Sequence, residues 1–220
     1  MVYSWSMLHL GIALPGEGFS LEGVLEGPAG APGVVVCHPH PAFGGTFNTP
    51  IVVRLAGALA AAGLRALRFN FRGIGRSGGR PTGGAVEERD VRAACAALRE
   101  VSTGEVALAG YSFGALMAAK ALARGEVARA FFGLGFPTGI VGDHPDRIAD
   151  TEAALRAAPA LLVTGDTDPL CDPERLARYS RGAPSVRLEI LPGVSHFPSG
   201  VALDRVASLA VEFLVPTSRS

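Results

Sequence analysis

Strand and helix signals alternate from residue 33 to the end of this 220-residue chain, which predicts an α/β fold with a mainly parallel sheet and helices on both faces. Gly33-Val34-Val35-Val36-Cys37 is a continuous β-branched run without polar alternation, as a strand covered on both sides requires. Later apolar runs are separated from it by helical patterns that open at Thr49-Pro50 and Asp172-Pro173, so successive strands are joined by crossovers. Before this region, residues 8–14 and 19–26 are short extended runs separated by Pro15-Gly16-Glu17-Gly18. They read as an antiparallel hairpin at the sheet edge.

The elements follow in order. Thr49 and Pro50 supply an N-cap and a first-turn proline, and Ile51, Leu55 and Leu59 keep helical spacing until Gly63. Residues 64–71 form the next strand. Residues 86–101 place Val91, Cys95 and Leu98 on one face, with Glu87, Glu88, Arg92 and Arg99 elsewhere, an amphipathic helix. Strand 106–109, helix 113–124 and strand 127–134 continue the alternation. Strand 160–164, a helix capped by Asp172 that runs to Tyr179, strand 186–191 and a helix from Ser199 or Gly200 to Val215 complete it.

Composition narrows the function classes. Hydrophobic residues make 48% of the chain and charged ones 18%, a balance that builds a packed interior. A length of 220 residues fits one domain spanning 1–220. Gly 29 and Pro 16 together fall below the roughly 25–30% of low-complexity chains, so they read as turns and elbows. Lys+Arg 20 against Asp+Glu 20 leaves no net field to favour nucleic acid or an anionic membrane, and a small-molecule partner is expected. Lys120 is the only lysine, which reads as compositional bias without a chemical role. Cys37, Cys95 and Cys171 are odd in number and lack CxxC spacing, which argues for a reducing cytoplasm and against a disulfide framework or zinc cluster. Residues 1–10 make a poor signal peptide, and no run reaches the roughly 20 apolar residues of a membrane span.

The chemistry lies in Gly110-Tyr111-Ser112-Phe113-Gly114, a G-x-S-x-G motif between a predicted strand and a predicted helix. A serine held at the tip of so sharp a turn needs glycines two residues away on either side. The helix opening at Phe113 directs its unpaired N–H groups at any oxyanion formed on the serine. Such a motif also arises by chance as a plain strand-to-helix turn. The reading as a nucleophile strengthens because a nucleophile elbow takes its partners in the chain order Ser, acid, His, on loops after later strands. His196 is the histidine that lies beyond the acid and after the last strand; His9, His38, His40 and His144 do not. Asp166, Asp168 and Asp172 share one loop. Asp172 is most simply an N-cap and Asp166 an Asx turn to its own loop, which favours Asp168, near the apex, as the acid.

An oxyanion hole needs a second donor, from the loop His38-Pro39-His40-Pro41 after the strand ending at Cys37. Neither proline has an N–H, so His40 is the donor in this tetrapeptide that joins Phe113. The alternatives are a rigid turn without chemistry and, ranked lowest, a metal site from His38 and His40. The glycine-rich run Arg72 to Ser77 lacks the lysine and hydroxyl residue of a phosphate loop and reads as a tight strand-to-helix turn.

His38-Pro39-His40-Pro41, Gly44-Gly45-Thr46, the run Arg68-Phe69-Asn70-Phe71-Arg72-Gly73-Ile74-Gly75-Arg76-Ser77, Gly110 to Gly114, Gly165 to Asp168 and Ser195-His196-Phe197 together resemble the small bacterial α/β-hydrolases, relatives of the dienelactone hydrolases. The resemblance covers residues 33–215. It implies the α/β-hydrolase fold, serine esterase chemistry without a cofactor, Ser112, Asp168 and His196 as a triad, and the N–H groups of His40 and Phe113 as oxyanion donors. Dienelactone hydrolases proper resemble it less, because they carry cysteine where this chain has Ser112.

The expected reaction is hydrolysis of a small carboxylic ester. Thioesters share its intermediates, and a non-catalytic binding protein on the same fold is the rival from another class. A dehalogenase is disfavoured, since it needs a carboxylate at position 112. Between Leu134 and Ala160 a polar, proline-broken stretch over residues 136–150 precedes a short helical pattern at 151–158, so no separate lid domain is expected. Phe43, Phe47, Phe113, Phe136 and Phe197 lie on or beside loops converging on the serine, and are candidates for a shallow apolar wall around an acyl group of about two to six carbons. Cys171 is expected to pack beneath the helix that starts at Pro173.

Overall fold

The computed structural model describes residues 7–142 and 144–216. Most of the segment weighed above as a signal peptide, residues 1–6, lies outside them. The sheet has eight strands: β1 (Leu8–Ala13), β2 (Ser20–Glu26), β3 (Pro32–Cys37), β4 (Arg65–Phe69), β5 (Thr103–Tyr111), β6 (Phe131–Leu134), β7 (Ala160–Gly165) and β8 (Val186–Leu191), in the order β1-β2-β4-β3-β5-β6-β7-β8. β1 and β2 form the antiparallel hairpin, with Leu8 opposite Leu25 and Ala13 opposite Ser20, and β2 runs antiparallel to β4. All other pairings are parallel.

The helices are α1 (Pro50–Ala61), α2 (Glu88–Arg99), α3 (Phe113–Ala123), α4 (Thr138–Val141), α5 (Pro145–Ala157), α6 (Pro173–Tyr179) and α7 (Gly200–Leu214). They divide between the two faces. Val34, Val36, Ala107, Ala109, Phe132 and Val163 point toward α1 and α7, while Val35, Cys37, Leu108, Phe131 and Leu162 point toward α2, α3, α5 and α6. The period-2 alternation of side chains explains why β3 contains no polar residue: both of its faces are core, and Val34, Val35, Val36 and Cys37 are fully buried. Among the described residues no helix is long and apolar enough to cross a membrane.

Three elements depart from the sequence reading. β6 begins at Phe131 and not at Val127, because its ladder to β7 starts with Phe131 opposite Ala160 and Val127 is turned out to solvent. The run from Arg72 to Ser77 does not lead directly into a helix, since α2 opens only at Glu88. It forms a loop in which Ser77 Oγ donates to Asn70 O and accepts from Glu22 N–H. α5 starts at Pro145, six residues before the expected pattern at Thr151, because proline at N1 opens a helix instead of breaking one. Among the described residues, 135–142 and 144–159 therefore hold only α4 and α5, with α5 packed against α3, and there is no separate lid domain.

The long loop between β4 and α2 is fastened by a buried ion pair. Arg72 reaches Asp90 through Nη2 (2.6 Å) and Nε (3.0 Å), its own N–H donates to the second carboxylate oxygen (2.9 Å), and Glu17 from the hairpin turn adds a contact at 3.3 Å. Asp90 is fully buried. Removing one partner of such a pair leaves an uncompensated charge, so Asp90→Ala is expected to lower unfolding free energy by about 3–5 kcal/mol in urea titration. A loss below about 1 kcal/mol would show the pair to be dispensable.

Candidate active site

β5 ends at Tyr111 and α3 begins at Phe113, which leaves Ser112 alone in the turn. Its φ of 55° and ψ of −119° make it the one non-glycine residue with positive φ among the described residues. Such a conformation costs about 1–3 kcal/mol and persists only where the surroundings impose it. Here the Ser112 N–H donates to Leu134 O at 2.8 Å, and the Ser112 carbonyl accepts from Ala115 and Leu116 in the first turn of α3. A β-carbon at Gly110 would stand 2.5 Å from Ala115 N, and one at Gly114 would stand 2.4 Å from Cys37 O. The two motif glycines thus let α3 fold back on its own strand and press against the end of β3.

Ser112 Oγ lies 2.9 Å from His196 Nε2, and His196 Nδ1 lies 2.8 and 3.0 Å from the two oxygens of Asp168. A carboxylate accepts only, so Nδ1 carries the hydrogen toward Asp168 and Nε2 is left to accept from the serine hydroxyl. All three side chains are buried, with Ser112 still 7% exposed. Asp168 Oδ1 also accepts from the N–H groups of Leu170 (2.8 Å) and Cys171 (3.2 Å), so the Asx turn of this loop belongs to Asp168. Asp166, read above as tying its own loop, instead accepts from Gly193 N–H at 2.7 Å, across to the loop that carries His196. Asp172 caps α6 by accepting from Glu174 and Arg175 N–H. Cys171 is buried, its thiol pushed up to about 11 by burial, which suits packing rather than nucleophilic attack.

Two neighbours of this chain of hydrogen bonds carried no signal of function in the sequence. Tyr111 Oη donates to His196 O at 2.9 Å, so the residue beside the serine also holds the backbone of the histidine. Gly135, after β6, has φ 54°, and a β-carbon there would stand 3.1 Å from His196 Nδ1 and Cε1. The imidazole lies on that bare glycine.

On the other side of the serine, the N–H groups of His40 and Phe113 have no protein acceptor among the described residues. The His40 carbonyl is taken by Phe43 and Gly45 N–H, its ring Nδ1 accepts from Ala42 N–H, and its ring stands edge-on to Phe113 at 4.7 Å. His38 does something else. It is fully buried, its Nε2 accepts from Phe71 N–H (3.1 Å) and its Nδ1 donates to Pro39 O (2.7 Å), which ties the end of β3 to the loop after β4.

The five candidate wall phenylalanines separate. Phe43 is 90% exposed beside His40, Phe197 is 71% exposed with its ring perpendicular to that of His196, and Phe113 is nearly buried but lines a cavity. Phe136 has no exposed surface and belongs to the core facing α3, while Phe47 lies under the Arg68 guanidinium and donates its N–H to Asn70. These two leave the proposed wall, because, unlike Phe113, neither lines the cavity beside His40.

Comparison with known proteins defines the family. Residues 33–199 match the model of the alpha/beta hydrolase domain, and the chain belongs to that family. A serine hydrolase homologue from Coxiella burnetii is 29% identical, with a TM-score of 0.77 over 98% of this chain and 99% of its own. An α/β serine hydrolase without a lid from Xanthomonas campestris is 25% identical, with a TM-score of 0.75 over 99% of each chain. An uncharacterized protein of Rickettsia prowazekii is 27% identical over 80% of this chain and 78% of its own length.

The position of His38 has a consequence for acid stability. Burial lowers its pKa from 6.5 to about 4, so it stays neutral in the fold where the unfolded chain takes up a proton. Stability from this site is intact above pH 6.5 and falls as pH drops toward 4, by up to about 3 kcal/mol. His38→Gln is therefore expected to flatten the pH dependence of unfolding between pH 6.5 and 4, measured by urea titration at each pH. An acid limb as steep as that of the wild type would assign the effect to other groups.

Proposed function

We propose that this chain is a serine hydrolase that cleaves small carboxylic esters through an acyl-enzyme, with Ser112 as nucleophile, His196 as general base and Asp168 as the acid that orients it. The observation that carries this reading is the continuous hydrogen-bonded line from Ser112 Oγ through both nitrogens of His196 to Asp168. His196 Nε2 removes the hydroxyl proton as Oγ attacks the ester carbonyl, and the imidazolium that forms is stabilised by Asp168. The oxyanion is received by the N–H groups of His40 and Phe113, at the positive end of α3. His196 then hands its proton to the departing alkoxide, which leaves as an alcohol. In the second half a water molecule gives a proton to Nε2 and attacks the acyl carbon, and as the bond from that carbon to Ser112 Oγ breaks, Oγ takes the proton back from Nε2 and the acid leaves. Thioesters follow the same steps with a thiol as leaving group.

Ser112→Ala is expected to lower kcat on p-nitrophenyl acetate by several orders of magnitude without loss of fold, and to abolish labelling by a fluorophosphonate. Near-normal turnover by the folded variant would sink the mechanism. The two aspartates separate the roles further. Asp168→Asn removes the charge facing Nδ1 and is expected to cost at least about a thousandfold in kcat. Asp166→Asn keeps an oxygen for Gly193 N–H and is expected to cost little. Equal losses at the two positions would mean that the carboxylate of Asp168 has no special part.

A further inference from the structure

A cavity of about 370 Å³ opens beside Phe113, the residue that follows the serine, between residues 82–85, α3 and the segment carrying α4 and α5; Ser112 itself does not line it. His40 and Phe113 line its inner end, and Leu116, Met117 and Ile140 line its body. A smaller apolar recess of about 200 Å³ shares His40, Gly83 and Phe113 with it. Of the residues common to both spaces, His40 and Phe113 are those that carry the oxyanion donors proposed above.

The wall over this cavity is built with unusual care for a surface loop. Glu87, 1% exposed, accepts from Thr82 N–H (2.6 Å), Thr82 Oγ1 (2.6 Å) and Gly84 N–H (2.8 Å). From the other side Lys120 Nζ donates to Gly84 O (2.7 Å) and Ala85 O (2.8 Å). A buried carboxylate is stabilised only when its oxygens are this fully occupied. Residues 82–85 contribute nothing to the core, so what the two charges hold in place is the wall. The chain's one lysine thus has a role that composition hid. Gly84, at φ 98°, is the low point of the wall, and a β-carbon there would stand 3.3 Å from both Met117 Cε and Phe113 Cε2.

We propose that this cavity is the acyl pocket of the esterase reaction and takes uncharged apolar acyl groups of about four to eight carbons, or a single aromatic ring. The proposal rests on the reading of Ser112 as nucleophile. The direction follows from the proton path: the leaving oxygen must meet His196 Nε2, so the alcohol part exits on the His196 side and the acyl part on the opposite side. No residue of the 193–197 loop lines the cavity. The preference for an apolar group follows from the lining, in which Phe113, Leu116, Met117 and Ile140 supply the apolar surface and the charged side chains are bonded to neighbouring groups of the wall. Lys120 holds two carbonyls, Arg147 donates to Ile140 O and Asp150 pairs with Arg124 at 2.9 Å. The size follows from the volume, which is near the lower end of the roughly 300–1,000 Å³ of small-molecule pockets. At about 30 Å³ per water-sized group it holds a dozen at most, and eight carbons leave clearance. The range of two to six carbons expected from an open cleft alone is shifted upward.

The test compares kcat/KM along a p-nitrophenyl ester series from acetate to dodecanoate with that along acetate esters of alcohols of matching length. In the acyl series the wild type is expected to gain about two- to fourfold per methylene up to about eight carbons and then stop gaining. Leu116→Trp, and Ile140→Trp at a position already 45% exposed and so tolerant of change, are expected to lower the octanoate-to-acetate ratio at least tenfold. Lys120→Met, which frees the wall, should lower the same ratio. An unaltered ratio in folded Ile140→Trp protein, or a change confined to the alcohol series, would overturn the pocket while leaving Ser112 as nucleophile. A wild type that neither hydrolyses any ester nor takes a fluorophosphonate label overturns the reading of Ser112 itself.

Discussion

The site depends on one contact between backbones, the crossing of the loop after β7 by the loop after β8. A β-carbon at Gly165 would stand 1.8 Å from Val194 O, so the two chains meet with no side chain between them. Around that point Thr167 gives both its N–H and its hydroxyl to Val194 O, Asp166 N–H reaches Leu191 O, and the Asp166 carboxylate receives Gly193 N–H. The loop of Asp168 and the loop of His196 thus form one body. Tyr111 then fastens this body to the serine turn through His196 O. The distances between Ser112, His196 and Asp168 are set by these backbone ties before the side chains bond to one another, which is the kind of support a preorganised site needs.

Charge in this molecule serves shape more than binding. Asp90 with Arg72 pins the loop after β4, Glu87 with Lys120 pins the loop before α2, and His38, kept neutral by burial, joins β3 to the loop after β4. Each lies where the chain leaves regular structure near the carboxyl ends of the central strands. Backbone groups there have no ladder or helix partner, and buried groups left unpaired would cost about 1–3 kcal/mol each. A small number of ionic and imidazole groups meets that need for two long loops, the one after β3 and the one that joins β4 to α2.

The sequence was most legible where a single residue type answers a single backbone requirement. Gly110 and Gly114 read correctly as the steric condition of a sharp turn, and Pro50, Asp172 and Pro173 marked their helix starts. Pro145 marked one as well, but the polar residues around it were read as a broken coil, since a proline at N1 and one inside a helix look alike until the first turn is seen. His196 was legible from chain order as the neighbour of Ser112, and Asp168 only by choice among three aspartates of one loop. The support around them was not, because Gly135, Tyr111 and Asp166 act across segments far apart in the chain, and nothing local distinguishes them from other loop and strand residues. Burial of aromatics was equally hidden: Phe43 and Phe47 stand four residues apart on one loop, yet one is exposed and the other is core.

Topology explains why the cleft forms where it does. From β3 the chain passes through α1 to β4 on one side of β3, and then through α2 to β5 on the other side, so the direction of strand addition reverses between β3 and β5. α1 packs on one face of the sheet and α3 on the opposite face. The loops leaving the carboxyl ends of β3 and β5 therefore diverge, and a crevice has to open between neighbouring strands at that point. His40 stands on the first of these loops, and Ser112 with Phe113 on the second. Gly114 keeps the divergence small by letting α3 approach to within contact of Cys37 O and His38 O. Opposed loops and a close approach together bring His40 against Phe113, their ring centroids 4.7 Å apart, next to the turn that carries Ser112, a geometry that neither strand produces alone.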